Sequence, residues 1–337
     1  MILKAFLLAL TLVAMTLSAR ANTLETVKSR GQLLCGVNTE LVGFAFQQPN
    51  GEWSGFDVDF CRALTAAIFG SPDKVQFVPL TAKERLPALQ NGVIDVLSRN
   101  TTWTFSRDNK EKLNFVGVSY YDGQGFMIAK KVGIESAKDL NGASICVQTS
   151  TTTELNLFDF FQANKIKFVP IQIAEVREAE LLYLSGKCDV YTADASALAA
   201  TRASFDNPEE HTILPEIISK EPLGPAVRHG DEQWTDLVRW TLNALIAAEE
   251  YGITSDNVQT LAKNTTSPDI ARLLGTQDSL GTQLGLKTDW VVSVLNATGN
   301  YGEIFERNIG KNTPVGLSRG LNAQWRDGGL LYAAPFR

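Results

Sequence analysis

The chain has 337 residues, 44% of them hydrophobic and 20% charged, with 37 acidic against 31 basic side chains and a net charge of −6. A globular chain of this length divides more readily into two domains than one, and its acidity argues against nucleic acid as a partner, because phosphate binding needs a basic surface. Beyond the N-terminus no segment approaches the roughly 20 apolar residues of a membrane span.

Residues 1–21 read as a secretory leader: Lys4 supplies a positive start, residues 5–17 an apolar run of 13, and Ala19-Arg20-Ala21 a small-x-small cleavage site. Cleavage begins the mature chain near Asn22 and, by removing Lys4 and Arg20, shifts the net charge from −6 to −8. A soluble, exported product is expected. In such a product the four cysteines, Cys35, Cys61, Cys146 and Cys188, are expected to be bridged. Their spacings match no zinc pattern. Two lie early and two near the middle, which favours Cys35 with Cys61 and Cys146 with Cys188; sequence alone leaves all three connectivities open.

From residue 33 strands alternate with helices. Residues 33–37 read as a strand, and Asp57 can cap a helix whose apolar positions Phe60, Cys61, Leu64, Ala67 and Ile68 follow helical spacing. Residues 75–80 form the next strand, 85–90 a helix, and Val93, Ile94, Val96 and Leu97 the apolar run of a third strand. That run stops at Asn100, Thr101, Thr102 and Thr104, followed by Arg107, whose planar fork of N–H groups matches a carboxylate in two-point geometry. Ligands of open α/β sheets sit outside the carboxyl ends of strands, so this stretch reads as a carboxylate socket. The rhythm restarts with strands at 143–148, 168–173 and 189–192 and helices at 153–163 and 178–184. Strands alternating with helices imply parallel sheets, and the restart implies two lobes.

The halves carry matching phrases. Leu89-Gln90-Asn91-Gly92-Val93-Ile94-Asp95-Val96 is echoed by Leu184-Ser185-Gly186-Lys187-Cys188-Asp189-Val190: a helix end, a capping glycine, then a strand. The first phrase leads to the Thr/Arg socket and the second to Thr192-Ala193-Asp194, so equivalent strand ends present one cation and one anion. Further on, residues 234–250 and 291–307 read as two amphipathic helices, 254–288 as partly helical, and 311–337 as an irregular wrap.

Several of these residues also have plain readings. Arg107 beside Asp108 and Lys110 could be a surface ion-pair residue, and Asp194 could cap a helix beginning at Ala195. Asp57 and Asp59 sit where a first helical turn favours acids, and Trp103 reads as packing. His211 and His229 are isolated, so no metal site is expected. Gly123-Gln124-Gly125 is too short for a dinucleotide loop and is assigned to a hinge.

Gly55-Phe56-Asp57-Val58-Asp59-Phe60, Leu86-Pro87-Ala88-Leu89-Gln90-Asn91-Gly92, Thr102-Trp103-Thr104-Phe105-Ser106-Arg107, Asp139-Leu140-Asn141-Gly142-Ala143, the hydroxyl turn from Gln148 to Glu154, and Tyr301-Gly302-Glu303-Ile304-Phe305 together resemble family 3 solute-binding proteins of ABC transporters, over roughly residues 30–310. The stretch from Arg99 to Thr104 and the long C-terminal region are most similar to the binding subunits of general L-amino-acid transporters. The resemblance implies an α/β, type II two-lobe clamp of mainly parallel sheets: residues 22–121 for lobe 1, 122–217 for lobe 2, 218–253 returning to lobe 1, and a helical extension, 254–337, packed on it. It implies that Arg107, with Thr102 and Asn100, holds a ligand α-carboxylate, that the helix N-terminus at Ser150, Thr151 and Thr152 donates to the same group, and that Asp194 takes the α-ammonium. Asn38 and Leu41 complete the candidate pocket. Ser150 departs from the usual glycine, and Leu41 and Ala82 stand where aromatic rings often sandwich the ligand, which favours broad specificity.

The expected function is therefore periplasmic capture of free L-amino acids by a monomer, without cofactor or metal, for delivery to the permease subunits of an ABC importer. The alternatives are a periplasmic enzyme on the same fold, of the cyclic-acid dehydratase type, with Glu40, Lys83 and Glu84 as the available acid–base groups, or a ligand-sensing module.

Overall fold

The computed structural model describes residues 22–337, so the leader read into residues 1–21 lies outside the described residues. After α1 (Thr23–Arg30), lobe 1 grows around β1 (Leu33–Asn38), five of whose six residues are buried. A strand covered on both faces takes parallel neighbours, and β1 runs parallel to β2 (Val75–Leu80) on one side and β3 (Val96–Leu97) on the other. The connecting helices are α2 (Phe56–Phe69) and α3 (Arg85–Gln90), and α4 (Phe105–Asn109) leads to the edge strand β4 (Leu113–Phe115). The chain then crosses along β5 (Tyr120–Asp122) into lobe 2. There it forms β6 (Gln124–Ala129), β7 (Ser144–Gln148), α5 (Thr152–Ala163), β8 (Val169–Ile173), α6 (Val176–Leu184), β9 (Val190–Asp194), α7 (Ala195–Ala203) and β10 (His211–Ile213). It returns along β11 (Glu221–Leu223), antiparallel to β5, and adds β12 (Ala226–Arg228) and the long α8 (Glu232–Glu250) to lobe 1.

Strand order is β2-β1-β3-β12-β4 in lobe 1 and β8-β7-β9-β6-β10 in lobe 2. Each sheet is parallel where helices carry the crossovers. It turns antiparallel at β12 and β6, which the chain enters directly from the crossing ribbon, and at β10, from which it leaves for the ribbon. The hinge reading of Gly123 fits its place between β5 and β6: a Cβ there would lie 2.2 Å from the Ile217 side chain and 2.7 Å from the Ser219 carbonyl. Only glycine lets the two crossing segments come this close.

Three sequence readings need correction. The third strand is shorter than 93–97, because Gly92 closes α3 at φ 74° and leaves Val93 53% exposed, while Ile94 is buried; only Val96 and Leu97 form strand. Asp57 does not cap α2. Gly55 holds that position at φ 135°, with the Phe44 carbonyl 2.2 Å from where a Cβ would stand, and Asp57 turns inward to accept from the Ser98 hydroxyl (3.1 Å) and the Asn100 N–H (3.3 Å). The helix read over 291–307 is two helices, α11 (Trp290–Thr298) and α12 (Tyr301–Asn308), following α9 (Val258–Asn264) and α10 (Pro268–Leu273). Gly299 at φ 74° breaks it, and Asn300 with Glu303 forms a reciprocal capping box that starts a new helix.

α11 and α12 pack against α2, where Arg307 and Asn308 hold the Asp59 carboxylate at 2.6 and 2.7 Å. The tail is ordered by Arg319, which pairs with both Glu249 oxygens (2.7 and 3.0 Å) and lies over the Tyr301 and Phe305 rings. Beyond it the Asn322 amide accepts from the Tyr121 N–H (2.7 Å) and donates to the Tyr121 carbonyl (3.1 Å) on β5.

Cys35 is bridged to Cys61, tying β1 to α2, and Cys146 to Cys188, tying β7 to the entry of β9. The loops they close span 26 and 42 residues of separation, for which the chain-entropy relation gives about 3.5–4 kcal/mol each as an upper figure. Reduction is expected to lower stability by about 2–4 kcal/mol per bridge, read as a fall in the urea midpoint with dithiothreitol; an unchanged midpoint after confirmed reduction would contradict it.

Candidate functional site

The carboxyl ends of the parallel strands in both lobes face one cleft, as the open-sheet rule requires. Lobe 1 lines it with Asn38 at the end of β1, Leu41, Arg85 from the first turn of α3, and Arg99, Asn100 and Thr102 after β3. Lobe 2 answers with Gln148 after β7, Thr151 to Thr153 at the start of α5, and Asp194 at the end of β9. The lobes touch across this cleft: the Thr102 and Thr152 hydroxyls stand 3.3 Å apart.

Arg107 is buried and reaches back beneath the socket, its Nη1 donating to the Thr102 carbonyl at 2.6 Å. The turn that places it is capped by Thr104, whose hydroxyl accepts the Arg107 backbone N–H. Burial lowers the Arg107 pKa, against the raising influence of the Glu221 and Asp194 charges. Asp194 occupies the N-cap position of α7 but makes no capping bond. Its Oδ1 is buried with no partner. Burial pushes its pKa well up, and the Asp122 and Glu221 carboxylates push further in the same direction, against Arg85 and Arg107.

Asn100 adopts a left-handed backbone (φ 37°), and both its side-chain Oδ1 and Nδ2 are buried without partners. Thr151 caps α5, accepting from the Glu154 N–H and donating to the Gln148 carbonyl. Ser150, at φ 64° in the region that favours glycine, lies outside the cavity on the exposed rim, and its N–H is taken by Glu154. Ala82 is buried but does not line the cavity. Trp103 stacks on Phe115. Glu40, Lys83 and Glu84 are all exposed: Glu40 faces Arg177, and Glu84 accepts from the Thr81 N–H. No group of His, Cys, Asp and Glu suited to a metal occurs among the described residues.

Three charged residues of the cleft went unread in the sequence. Arg85 and Arg99 are each 3% exposed. A charged side chain directly after the buried Val96-Leu97-Ser98 was the available signal for Arg99, and one on the buried side of a short helix for Arg85. Glu221, 1% exposed on β11, gave no signal. Its Oε2 accepts from Thr102 (2.5 Å) and Thr152 (2.9 Å), and its Oε1 from Asn156 (2.7 Å) and Ser219 (2.6 Å), so one carboxylate joins lobe 1, lobe 2 and the crossing segment. A hydroxyl has one proton; both threonine protons point at Glu221.

A larger cavity, about 580 Å³, lies on lobe 2 among Lys130, Tyr183, Phe205 and His211. It borders Cys188 and Asp189, at the amino end of β9, and none of its lining residues carries a buried unpartnered polar atom. The inter-lobe cleft instead holds four such atoms, on Arg85, Asn100 and Asp194, which makes it the candidate site for a polar ligand.

Residues 33–257 match the model of the bacterial extracellular solute-binding proteins, family 3. The chain belongs to that family. It is 56% identical over 320 residues to the glutamate/glutamine/aspartate/asparagine-binding protein BztA of Rhodobacter capsulatus, covering 95% of each chain. It is also 56% identical over 322 residues to the general L-amino acid-binding periplasmic protein AapJ of Rhizobium johnstonii, covering 95% of this chain and 94% of that one. Among solved structures it is similar to an ABC transporter periplasmic binding protein from Brucella ovis with glutathione bound, at 58% identity and TM-score 0.93, covering 94% of this chain and all of that one. As a family 3 solute-binding protein it has the type II two-lobe clamp, and β5 and β11 are the strands that join its lobes.

Proposed function

We propose that this solute-binding protein captures free L-α-amino acids between its lobes in the periplasm and delivers them to the permease of an ABC importer. The observation that carries this reading is the Asp194 oxygen, buried without a partner in a cleft whose opposite wall carries Thr102, with Arg107 outside the lining and held behind it on the Thr102 carbonyl. An α-amino acid supplies the complement: an ammonium for Asp194 and a carboxylate for the Arg107 socket. At an effective dielectric of about 20, each charge pair gains roughly 4 kcal/mol at 4 Å, against about 1 kcal/mol in water. Desolvation offsets part of that.

In this reading Glu221 keeps the socket ordered before ligand arrives. Thr102 and Thr152 then rotate their protons from Glu221 to the ligand carboxylate, while Asn156 and Ser219 continue to satisfy Glu221. Thr151 adds the positive end of α5, and Asn38 and Leu41 shape the side-chain space. A ligand that touches both lobes favours the closed state by its differential affinity for it, and the closed shape is what a permease can distinguish. The names of the relatives, binding proteins for several amino acids, support broad specificity. Glu40, Lys83 and Glu84, the groups named for the dehydratase alternative, are exposed and lie outside the cleft lining.

Calorimetric titration tests the reading. Several free L-amino acids are expected to bind, and their N-acetyl and carboxamide derivatives to fail, because each lacks one of the two charges. Equal binding of the derivatives, or no binding of any free amino acid, would overturn it.

A further inference from the structure

Resting on that reading, we propose that Arg85, with the Asn100 amide, forms the subsite for the ligand side chain and selects side chains that end in a carboxylate or primary amide. Arg85 lines the cleft at 3% exposure. Its Nη1 donates only to uncharged oxygens, the Arg99 and Asn100 carbonyls (3.4 and 3.2 Å) and the Thr101 hydroxyl (3.3 Å). Its Nε is buried with no partner, and it makes no ion pair among the described residues.

The other guanidiniums of the cleft are better matched. Arg99 has Asp57 as its leading charged neighbour, and Arg107 has Glu221. The largest charged influences on Arg85 are the like charges of Arg99 and Arg107, ahead of Asp194 and Glu221. A buried cation without a matched anion is costly, and a ligand carboxylate removes that cost. With Arg107 assigned to the α-carboxylate, the anion left for Arg85 is a second one, on the side chain.

Asn100 broadens the choice from acid to amide. Its unpartnered Nδ2 can donate to a carboxylate or an amide oxygen, and its unpartnered Oδ1 can accept from an amide NH₂. The Asn100 backbone is held on both sides: its N–H donates to Asp57, and its carbonyl accepts from Arg85. A left-handed non-glycine residue held this way persists because its surroundings over-determine it. Of the other lining residues, Leu41, Val176 and Ala197 carry no charge, and Arg99, the second guanidinium of the lining, is engaged through its Nε by the Leu80 carbonyl (2.7 Å).

The test is calorimetry of wild type, Arg85→Gln, Arg85→Lys and Asn100→Gly with L-glutamate, L-glutamine and L-alanine. Arg85→Gln is expected to weaken glutamate by on the order of ten- to a hundred-fold, the factor carried by a hydrogen bond to a charged group. Glutamine should weaken less and alanine hardly at all. Arg85→Lys is expected to restore the preference for glutamate over glutamine, and Asn100→Gly, which suits the left-handed backbone, to weaken both relative to alanine. Equal loss for all three ligands in Arg85→Gln, or an unchanged glutamate-to-glutamine ratio, would overturn the subsite. Should Arg85→Gln fail to fold, the Arg85→Lys and Asn100→Gly ratios decide. Absence of binding by the wild type would instead defeat the amino-acid reading itself.

Discussion

Arg107→Ala is expected to lose every amino acid together, by about 2–5 kcal/mol, roughly thirty- to several-thousand-fold in Kd. The loss is uniform because the α-carboxylate is common to all ligands. It is large because the alanine variant still desolvates that carboxylate on closure but no longer offers a planar double donor. Arg107→Lys tests the geometry separately. A point charge keeps the Coulomb attraction but not the two-point match, so intermediate affinity is expected. Calorimetry against three ligands of different side chain measures both variants. Normal affinity in Arg107→Ala would remove Arg107 from the site, and a ligand-dependent loss would move it to the side-chain pocket.

Asp194→Asn is expected to separate binding from stability. Binding should weaken by about 2–5 kcal/mol, as for any buried charge pair that loses one partner. The ligand-free protein, by contrast, should become more stable, because the amide carries no charge for burial and the neighbouring carboxylates to oppose. The sign follows from the order of influences on Asp194: burial and the Asp122 and Glu221 carboxylates disfavour its charge more than Arg85 and Arg107 favour it. Its raised pKa also links binding to protons. An incoming ammonium favours ionised Asp194, so binding releases a proton and affinity falls as the pH drops through the free-state pKa. Titrations in buffers of different ionisation enthalpy should detect the released proton in wild type and not in Asp194→Asn. Proton uptake on binding, or tight binding by the variant, would contradict the assignment.

The same sign argument governs the free protein. The Asp57 pKa is raised by burial to about 6, against 3.8 unperturbed, and Asp122 is raised as well, first by burial. Groups raised in this way contribute stability that is present in full below the unperturbed value and lost as pH rises through the folded value. These aspartates therefore favour the ligand-free fold more at mildly acidic pH than at neutrality.

Fold and site differed in how far they could be read from the chain. The alternation of strands and glycine-closed helices was visible because each unit is local: Gly92 and Gly186 both take the left-handed cap, at φ 74° and 73°. Asp194 could be placed at the cleft because it ends a buried strand, whereas Arg107 lies on α4, ten residues beyond the end of β3 and outside the cleft lining, so its strand pattern alone did not place it. Arg85 and Glu221 were not visible, because their roles depend on approach between distant segments; Glu221 meets Thr102 across 119 residues. The break between α11 and α12 was written in Asn300 and Glu303, a capping box, but apolar periodicity running through both helices concealed it.

The Asn322 amide makes to Tyr121 the pair of bonds that a neighbouring strand would make. Tyr121 stands opposite Pro222 on the other side, and proline has no N–H to offer, so the outer edge of β5 is closed by the tail alone. The tail thereby ties the crossing ribbon to lobe 1, and Gly123, with the segment facing it, stands on the far side of that tie. Observed affinity scales with the fraction of molecules in the binding-competent shape. A residue with no ligand contact can therefore set how tightly every ligand is held, and selection can retune uptake from the tail without touching the cleft.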